Sequence, residues 1–311
     1  MNRRTLGEIA TFSSGLQRPE CVRFGSDGTL YASDGRGGVS MIDEAGCSHL
    51  FKAGLTAELT EPLLPNGIHP ERDGSFLIAH LGQFEGGIFR LLRDGELQPY
   101  LRSVDGMDLP PTNYVTRDAN GRMWATVSTK LRPRSLDYRK SADTGFIVMD
   151  DGRGPRVVAD GLRYTNECAV SPDGRWLYVN ETFAKRTIRM PILGNGGLGP
   201  SEIVIELQSG EFPDGLAFDA TGNLWIVCIF ANSVVKVSPE GVRTTIISEP
   251  DEAYVADLES AYESDELTAT HMASSGASPL KNISSIAFRP DNKIAFLGSL
   301  QGDRLLTFDW T

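Results

Sequence analysis

The sequence predicts an all-β chain folded as a six-bladed β-propeller. Three observations carry this. A turn-plus-strand motif recurs six times, each copy is followed by enough strand-like runs to fill a four-stranded sheet, and the two ends of the chain together complete the last sheet.

The motif reads Asp27-Gly28-Thr29-Leu30-Tyr31, Asp73-Gly74-Ser75-Phe76-Leu77 and Asn120-Gly121-Arg122-Met123-Trp124. It returns as Asp173-Gly174-Arg175-Trp176-Leu177, Thr221-Gly222-Asn223-Leu224-Trp225 and, in weaker form, Asp291-Asn292-Lys293-Ile294-Ala295. Its second position therefore falls at 28, 74, 121, 174, 222 and 292, with spacings of 46, 47, 53, 48 and 70. Asp-Gly and Asn-Gly supply the positive φ that tight hairpin turns require. Flanking runs such as Cys21-Val22-Arg23-Phe24 and Leu30-Tyr31-Ala32 have strand composition, and third and fourth strands follow, as in 234–237 and 242–247. A β-sandwich lacks this self-similarity, and the coils of a β-helix are shorter. The last repeat offers three strands (285–288, 294–297, 304–308), so residues 7–12 are expected to supply its fourth and remove the open edge. The expected organisation is a single propeller domain, 1–311, with a short acidic helical insertion near 249–275.

Charge and hydropathy narrow the function. Thirty basic against 41 acidic residues give a formal net charge of −11, which argues against nucleic acid and against anionic membrane surfaces as partners. No run approaches the roughly 18 apolar residues that span a bilayer. The first eight residues carry two arginines but no apolar core, so no secretory signal is expected. Cys21, Cys47, Cys168 and Cys228 show no C-x-x-C spacing, and three lie in apolar strand-like runs. Free thiols and a cytoplasmic location are the expectation. A small-molecule substrate fits this profile, with the assembly state, monomer or homodimer, left open.

Eight residues before each turn position stand Glu20, Asn66, Asn113, Asn166, Asp214 and Ser284. All six are polar and all begin an innermost strand, so in a propeller they form a ring around the central channel. Asn66-Gly67 and Asp214-Gly215 are also turn dipeptides, and singly each would read as such. The constant offset is what makes them a set. Two carboxylates with amides, and no His or Cys, suit one hard divalent cation, Ca²⁺ first, with Mg²⁺, Mn²⁺ or Zn²⁺ as alternatives. A purely structural ion plugging the channel is the competing reading.

These motifs resemble the regucalcin (senescence marker protein)/gluconolactonase family of six-bladed propellers. The resemblance is carried by Arg18-Pro19-Glu20-Cys21-Val22, Pro65-Asn66-Gly67, Asn113 with Asp118, Thr165-Asn166, and Phe212-Pro213-Asp214-Gly215-Leu216 through Trp225. It implies one divalent metal held by Glu20, Asn166 and Asp214, with Asn113 a ligand or a substrate contact. It also implies hydrolysis of a sugar lactone, with Asp214 doubling as catalytic base. The sequence departs from the family pattern at Pro111, Tyr114 and Glu167, where the family has a sugar-binding Arg, commonly an Asp, and a Gly. The metal set is kept while the sugar contacts change, which leaves the lactone open.

Chain direction places the loops after each second strand over the ring. Candidate substrate contacts are therefore Asn113, Asn66, His80, Tyr114, Arg132 and Phe230. His80 is a candidate second base or a plain polar contact. The 129–145 loop carries Lys130, Arg132, Arg134, Arg139 and Lys140 and could hold an anion or simply be solvated. In the insertion, Tyr254, Leu258 and Tyr262 follow helical spacing amid eight acidic residues between Glu249 and Glu266, suggesting a lid or a dimer contact. The leading expectation is a metal-dependent lactonase. A phosphotriesterase-type hydrolase on the same ring, and a non-catalytic metal-plugged binding propeller, are the alternatives.

Overall fold

A computed structural model describes residues 3–289 and 293–310. Six four-stranded antiparallel sheets radiate from a central channel. Blade one comprises Val22–Phe24, Leu30–Asp34, Gly38–Ile42 and Ser48–Lys52; blade two Pro65–Pro70, Phe76–His80, Ile88–Leu91 and Leu97–Leu101. Blade three comprises Thr112–Arg117, Met123–Val127, Gly145–Asp150 and Arg156–Leu162; blade four Thr165–Val170, Trp176–Glu181, Arg186–Pro191 and Glu202–Glu206. Blade five runs Pro213–Phe218, Leu224–Cys228, Ser233–Val237 and Arg243–Ser248. Blade six takes Ile283–Phe288, Ile294–Ser299 and Arg304–Asp309, and its outer strand is Ala10–Ser14.

The N-terminal closure thus forms, three residues later than the sequence suggested. Ala10 pairs with Thr307 and Ser14 with Arg304. Leu6–Glu8 instead make one turn of 3₁₀ helix, because the Glu8 carboxylate accepts from the Thr5 backbone N–H at 2.9 Å and pulls the chain into a cap. The hairpin turns behave as the glycines demand: Gly28, Gly74, Gly121, Gly174 and Gly222 all have φ between 73° and 86°. The sixth turn, Asp291-Asn292, lies outside the described residues.

Apolar side chains fill the spaces between blades, where Trp124 and Trp225 are fully buried. Each indole N–H donates to the aspartate that opens its own hairpin, Asp118 at 3.0 Å and Asp219 at 2.7 Å. Cys21, Cys168 and Cys228 are buried free thiols, and Cys47 is exposed. Among the described residues no helix is long and apolar enough to cross a membrane.

The insertion contains helix α1, Glu252–Glu263, and a short helix α2, Ala269–Ala273. Asp251 caps α1 by accepting from the Ala253 and Tyr254 amides. Leu258 and Tyr262 are buried against Phe183, Phe212 and Phe230, and the Tyr262 hydroxyl donates to the Phe183 carbonyl at 2.6 Å. The acidic face of α1 is tied down by Lys185 to Glu259 and Lys140 to Glu263, each at 2.6 Å.

Candidate functional site

The constant offset has a structural cause. In blades two to six the pairing register of the innermost strand slips where the offset residue sits: between Pro65 and Ile68, Thr112 and Tyr114, Thr165 and Cys168, Pro213 and Leu216, and Ile283 and Ser285. A bulge of this kind frees one residue from the ladder and re-aims its side chain. The residues so freed include Asn66, Asn113, Asn166, Asp214 and Ser284. Four carbonyls of the ring residues are taken up by the preceding blade. Asn66 Nδ2 donates to the Asn113 carbonyl, Thr126 Oγ1 to that of Asn166, Asn180 Nδ2 to that of Asp214, and Ser284 Oγ to that of Glu20, at 2.6 to 3.0 Å. Backbone and side chains of the ring are therefore fixed by a belt of hydrogen bonds that crosses from blade to blade.

Glu20, Asn66, Asn113, Asn166 and Asp214 line one cavity of about 280 Å³, together with Arg18, Arg134, Tyr138, Tyr164 and residues of α2. Ser284 does not line it. Three buried oxygens in this set have no hydrogen-bond partner: Glu20 Oε2, Asn113 Oδ1 and Asn166 Oδ1. Orphaned buried oxygens are costly unless something else satisfies them. Beside them stands the buried Asp214 carboxyl. Asn66 differs, since its amide is fully engaged: Oδ1 accepts from Arg18 at 2.7 Å and Nδ2 donates to Glu20 Oε1 at 3.0 Å. Among the described residues no three His, Cys, Asp or Glu side chains form a group that could by themselves hold a metal ion. The set is two carboxylates completed by amides, and such a donor set fits a hard divalent cation.

The electrostatics agree. Burial pushes the Glu20 carboxyl up to about 7, against the opposing pull of Arg18. Burial, and then the charges of Glu20 and Glu167, raise Asp214 well above the usual carboxylate range. Glu167 is pushed up to about 8, by burial first and Glu20 second. One of its oxygens accepts from the Leu216 amide at 3.2 Å and the other has no partner. Without a cation, burial first and, for Asp214 and Glu167, neighbouring carboxylates second favour the protonated form of these groups.

Several sequence-derived contacts are displaced from the cavity. His80 is fully buried away from it, with Nδ1 accepting from the Leu64 amide at 3.1 Å and its ring edge-on to Phe89. Burial lowers its pKa and so favours the neutral ring. Tyr114 does not line the cavity: its hydroxyl accepts from the Arg23 guanidinium at 2.7 Å, and Arg23 also reaches Thr116. Phe230 belongs to the aromatic packing under α1, beside Phe212 and Tyr254, while its neighbour Ile229 lines the cavity. Arg132 is exposed and donates to the Asp108 carbonyl at 2.6 Å. Of the five basic residues in its loop, only Arg134 lines the cavity. Lys130, Arg139 and Lys140 pair instead with Asp160, Asp137 and Glu263.

Sequence reasoning missed Arg18, Tyr138, Tyr164 and Met272 as cavity walls. Arg18 had one usable signal, its place two residues before Glu20. Tyr164 and Met272 had none, since their positions depend on loop paths.

Residues 19–258 match the family model described as SMP-30/Gluconolactonase/LRE-like region. The chain belongs to this family. A relative from Pseudomonas putida, 6-deoxy-6-sulfogluconolactonase, is 29% identical over 179 residues, which are 55% of this chain and 59% of that protein. The chain thus spans little more than half the length of that relative. Two solved structures share the fold. One is a gluconolactonase from Xanthomonas campestris (TM-score 0.71, 18% identity, 97% of this chain and 89% of that one). The other is a calcium-binding protein, regucalcin, from Agrobacterium tumefaciens (TM-score 0.69, 18% identity, 96% and 92%). Next to Asn166 in this member of the family, Glu167 carries a buried carboxyl.

Proposed function

We propose that this chain is a metal-dependent hydrolase that opens a lactone, with one divalent cation held by Glu20, Asn113, Asn166 and Asp214. The observation that carries the proposal is the meeting of three partnerless buried oxygens with the Asp214 carboxyl in one cavity. Family membership and a relative named for a sugar lactonase support the choice of electrophile. When bound, the cation supplies a Lewis acid that polarises the ester carbonyl.

The residues do the rest. Asp214, once ionised, takes a proton from the attacking water, whose oxygen bonds to the carbonyl carbon. The ring C–O bond then breaks, and its oxygen takes that proton back from Asp214 and becomes the hydroxyl of the hydroxy acid. Asn66 fixes Glu20 and the Asn113 backbone in place, so the donor oxygens need no rearrangement on binding. Ile229, Leu81, Leu300 and Met272 give the cavity apolar walls that limit water around the ester.

The test is a panel of sugar-derived and plain lactones, assayed before and after chelation, with single divalent metals added back. Activity lost on chelation and restored by one metal is expected. Turnover that survives in protein verified metal-free, or absence of turnover on every lactone by metal-loaded protein, would overturn the proposal.

A further inference from the structure

The cavity wall holds more positive charge than the proposed reaction uses. Glu20 and Asp214 are the only carboxylates lining the cavity among the described residues, and a divalent cation would balance both. Arg18 and Arg134 line the same cavity, and neither has a carboxylate within 4.0 Å among the described residues. Most other arginines of the chain do, as Arg117 with Glu71 and Arg243 with Glu211 illustrate. A metal-loaded cavity would therefore be lined by two guanidinium groups, with only the buried Glu167 carboxyl left behind the wall to offset them, an expensive arrangement unless an anion enters.

The donors are also spare. Arg134 gives one N–H to the Tyr138 hydroxyl at 2.7 Å, but its Nε is buried with no partner. The Tyr164 hydroxyl, in the same wall, is buried against Arg134 and Tyr138 without a well-aligned hydrogen bond to either. Arg18 is fastened by bonds to the Pro65 carbonyl at 3.0 Å and to Asn66 at 2.7 Å, so its charge is held beside Glu20. Guanidinium and phenol donors held rigidly, with open valences, form a receptor for a planar or tetrahedral oxyanion.

We propose that the substrate is an acidic lactone, one carrying a carboxylate or sulfonate away from the ester, and that Arg134 with Tyr164 and Arg18 binds that anion. This deepens the lactonase reading and rests on it for the ester, though the anion site can be tested without turnover. The anion would be drawn in by the arginines while the ester carbonyl lies over the ring. Placement of the substituent would then orient the carbonyl, which is a specificity role rather than a chemical one.

The experiment uses a matched pair, D-glucaro-1,4-lactone and D-glucono-1,4-lactone, which differ in a carboxylate against a hydroxymethyl group. Both are assayed with the metal-loaded protein, and the ring-opened glucarate and gluconate are titrated calorimetrically. The expectation is at least tenfold higher kcat/KM for the acidic lactone, expressed in KM, and at least tenfold tighter binding of glucarate. Arg134→Met should erase the binding preference, and Arg134→Lys should restore part of it. Arg18→Met provides a second reading if Arg134→Met does not fold. Equal binding of the two hydroxy acids, with equal kcat/KM for the two lactones, would overturn the anion site while leaving the lactonase standing. No turnover of either lactone would count against the lactonase reading for this pair alone, and the glucarate titration would still decide the anion site.

Discussion

Titrating the metal-free protein from pH 4.5 to 8 should destabilise it through Glu20. In the fold this carboxyl keeps its proton up to about pH 7, whereas an unfolded glutamate loses it near 4.5. A raised folded pKa means stability that is present below 4.5 and is lost as pH rises through 7. Over that window the loss amounts to about 3 kcal/mol at roughly 1.4 kcal/mol per tenfold. With an unfolding entropy of about 2.1 cal/mol/K per residue over 311 residues, the melting temperature should fall by about 4–5 °C. Glu167, raised to about 8, adds to the fall. His69, lowered to about 3 by burial and by Arg23 and Arg117, opposes it below 6.5, because only the unfolded chain then binds its proton. The informative quantity is therefore wild type minus Glu20→Gln, measured by calorimetry in chelator across the pH range. The variant should lose most of the Glu20 share of the slope. Saturating divalent metal should flatten the wild-type curve by replacing the proton. An unchanged slope in Glu20→Gln would refute the reasoning, since the titration would then belong elsewhere.

Three further outcomes are expected. Asp214→Asn should keep its melting temperature within a few degrees and lose about 10²–10⁴-fold in turnover, read by lactone hydrolysis under saturating metal. Asp219→Ala should cost about 2–4 kcal/mol in chemical denaturation. Its carboxylate accepts from the Trp225 indole and the Asn223 amide, each at 2.7 Å, and the indole would be stranded in the core. Gly215→Ala should cost about 1–3 kcal/mol and weaken metal binding at least tenfold by calorimetry. Its new Cβ would clash with the Ser284 carbonyl oxygen, and relief would have to move Asp214 next door.

The propeller was legible because its signals are local and repeated. Asp-Gly turns such as Asp27-Gly28 dictate hairpins through backbone conformation alone, and a four-stranded sheet follows from strand count. The ring of Glu20, Asn66, Asn113, Asn166 and Asp214 was legible for the same reason, since equivalent positions in repeats share one environment. The bulges that aim these side chains were not visible, because a slip of one residue leaves composition unchanged. The cavity walls were poorly legible. Arg132 and Arg134 are chemically identical and two apart, yet one faces solvent and the other the cavity. Tyr114 looked like a substrate contact by adjacency to Asn113, but strand alternation sends it toward Arg23. The closing strand was found with a shifted boundary, because the Thr5–Glu8 cap competes with sheet pairing.

The closure of blade six bears on how the molecule comes into being. Residues 10–14 must wait for residues 304–309, and the Ser284 hydroxyl grips the Glu20 carbonyl across 264 positions at 2.7 Å. Blades one to five can each pair their own strands as they leave the ribosome, because every partner is a near neighbour. Until the final segment arrives they form an open arc, with the edges of the first and fifth sheets bare to other chains. Such an arc exposes strand edges and apolar surface that favour aggregation until it closes. The proposed cation site, drawn from blades one, three, four and five, would then mature last. Ion uptake during refolding would time the moment at which the circle shuts.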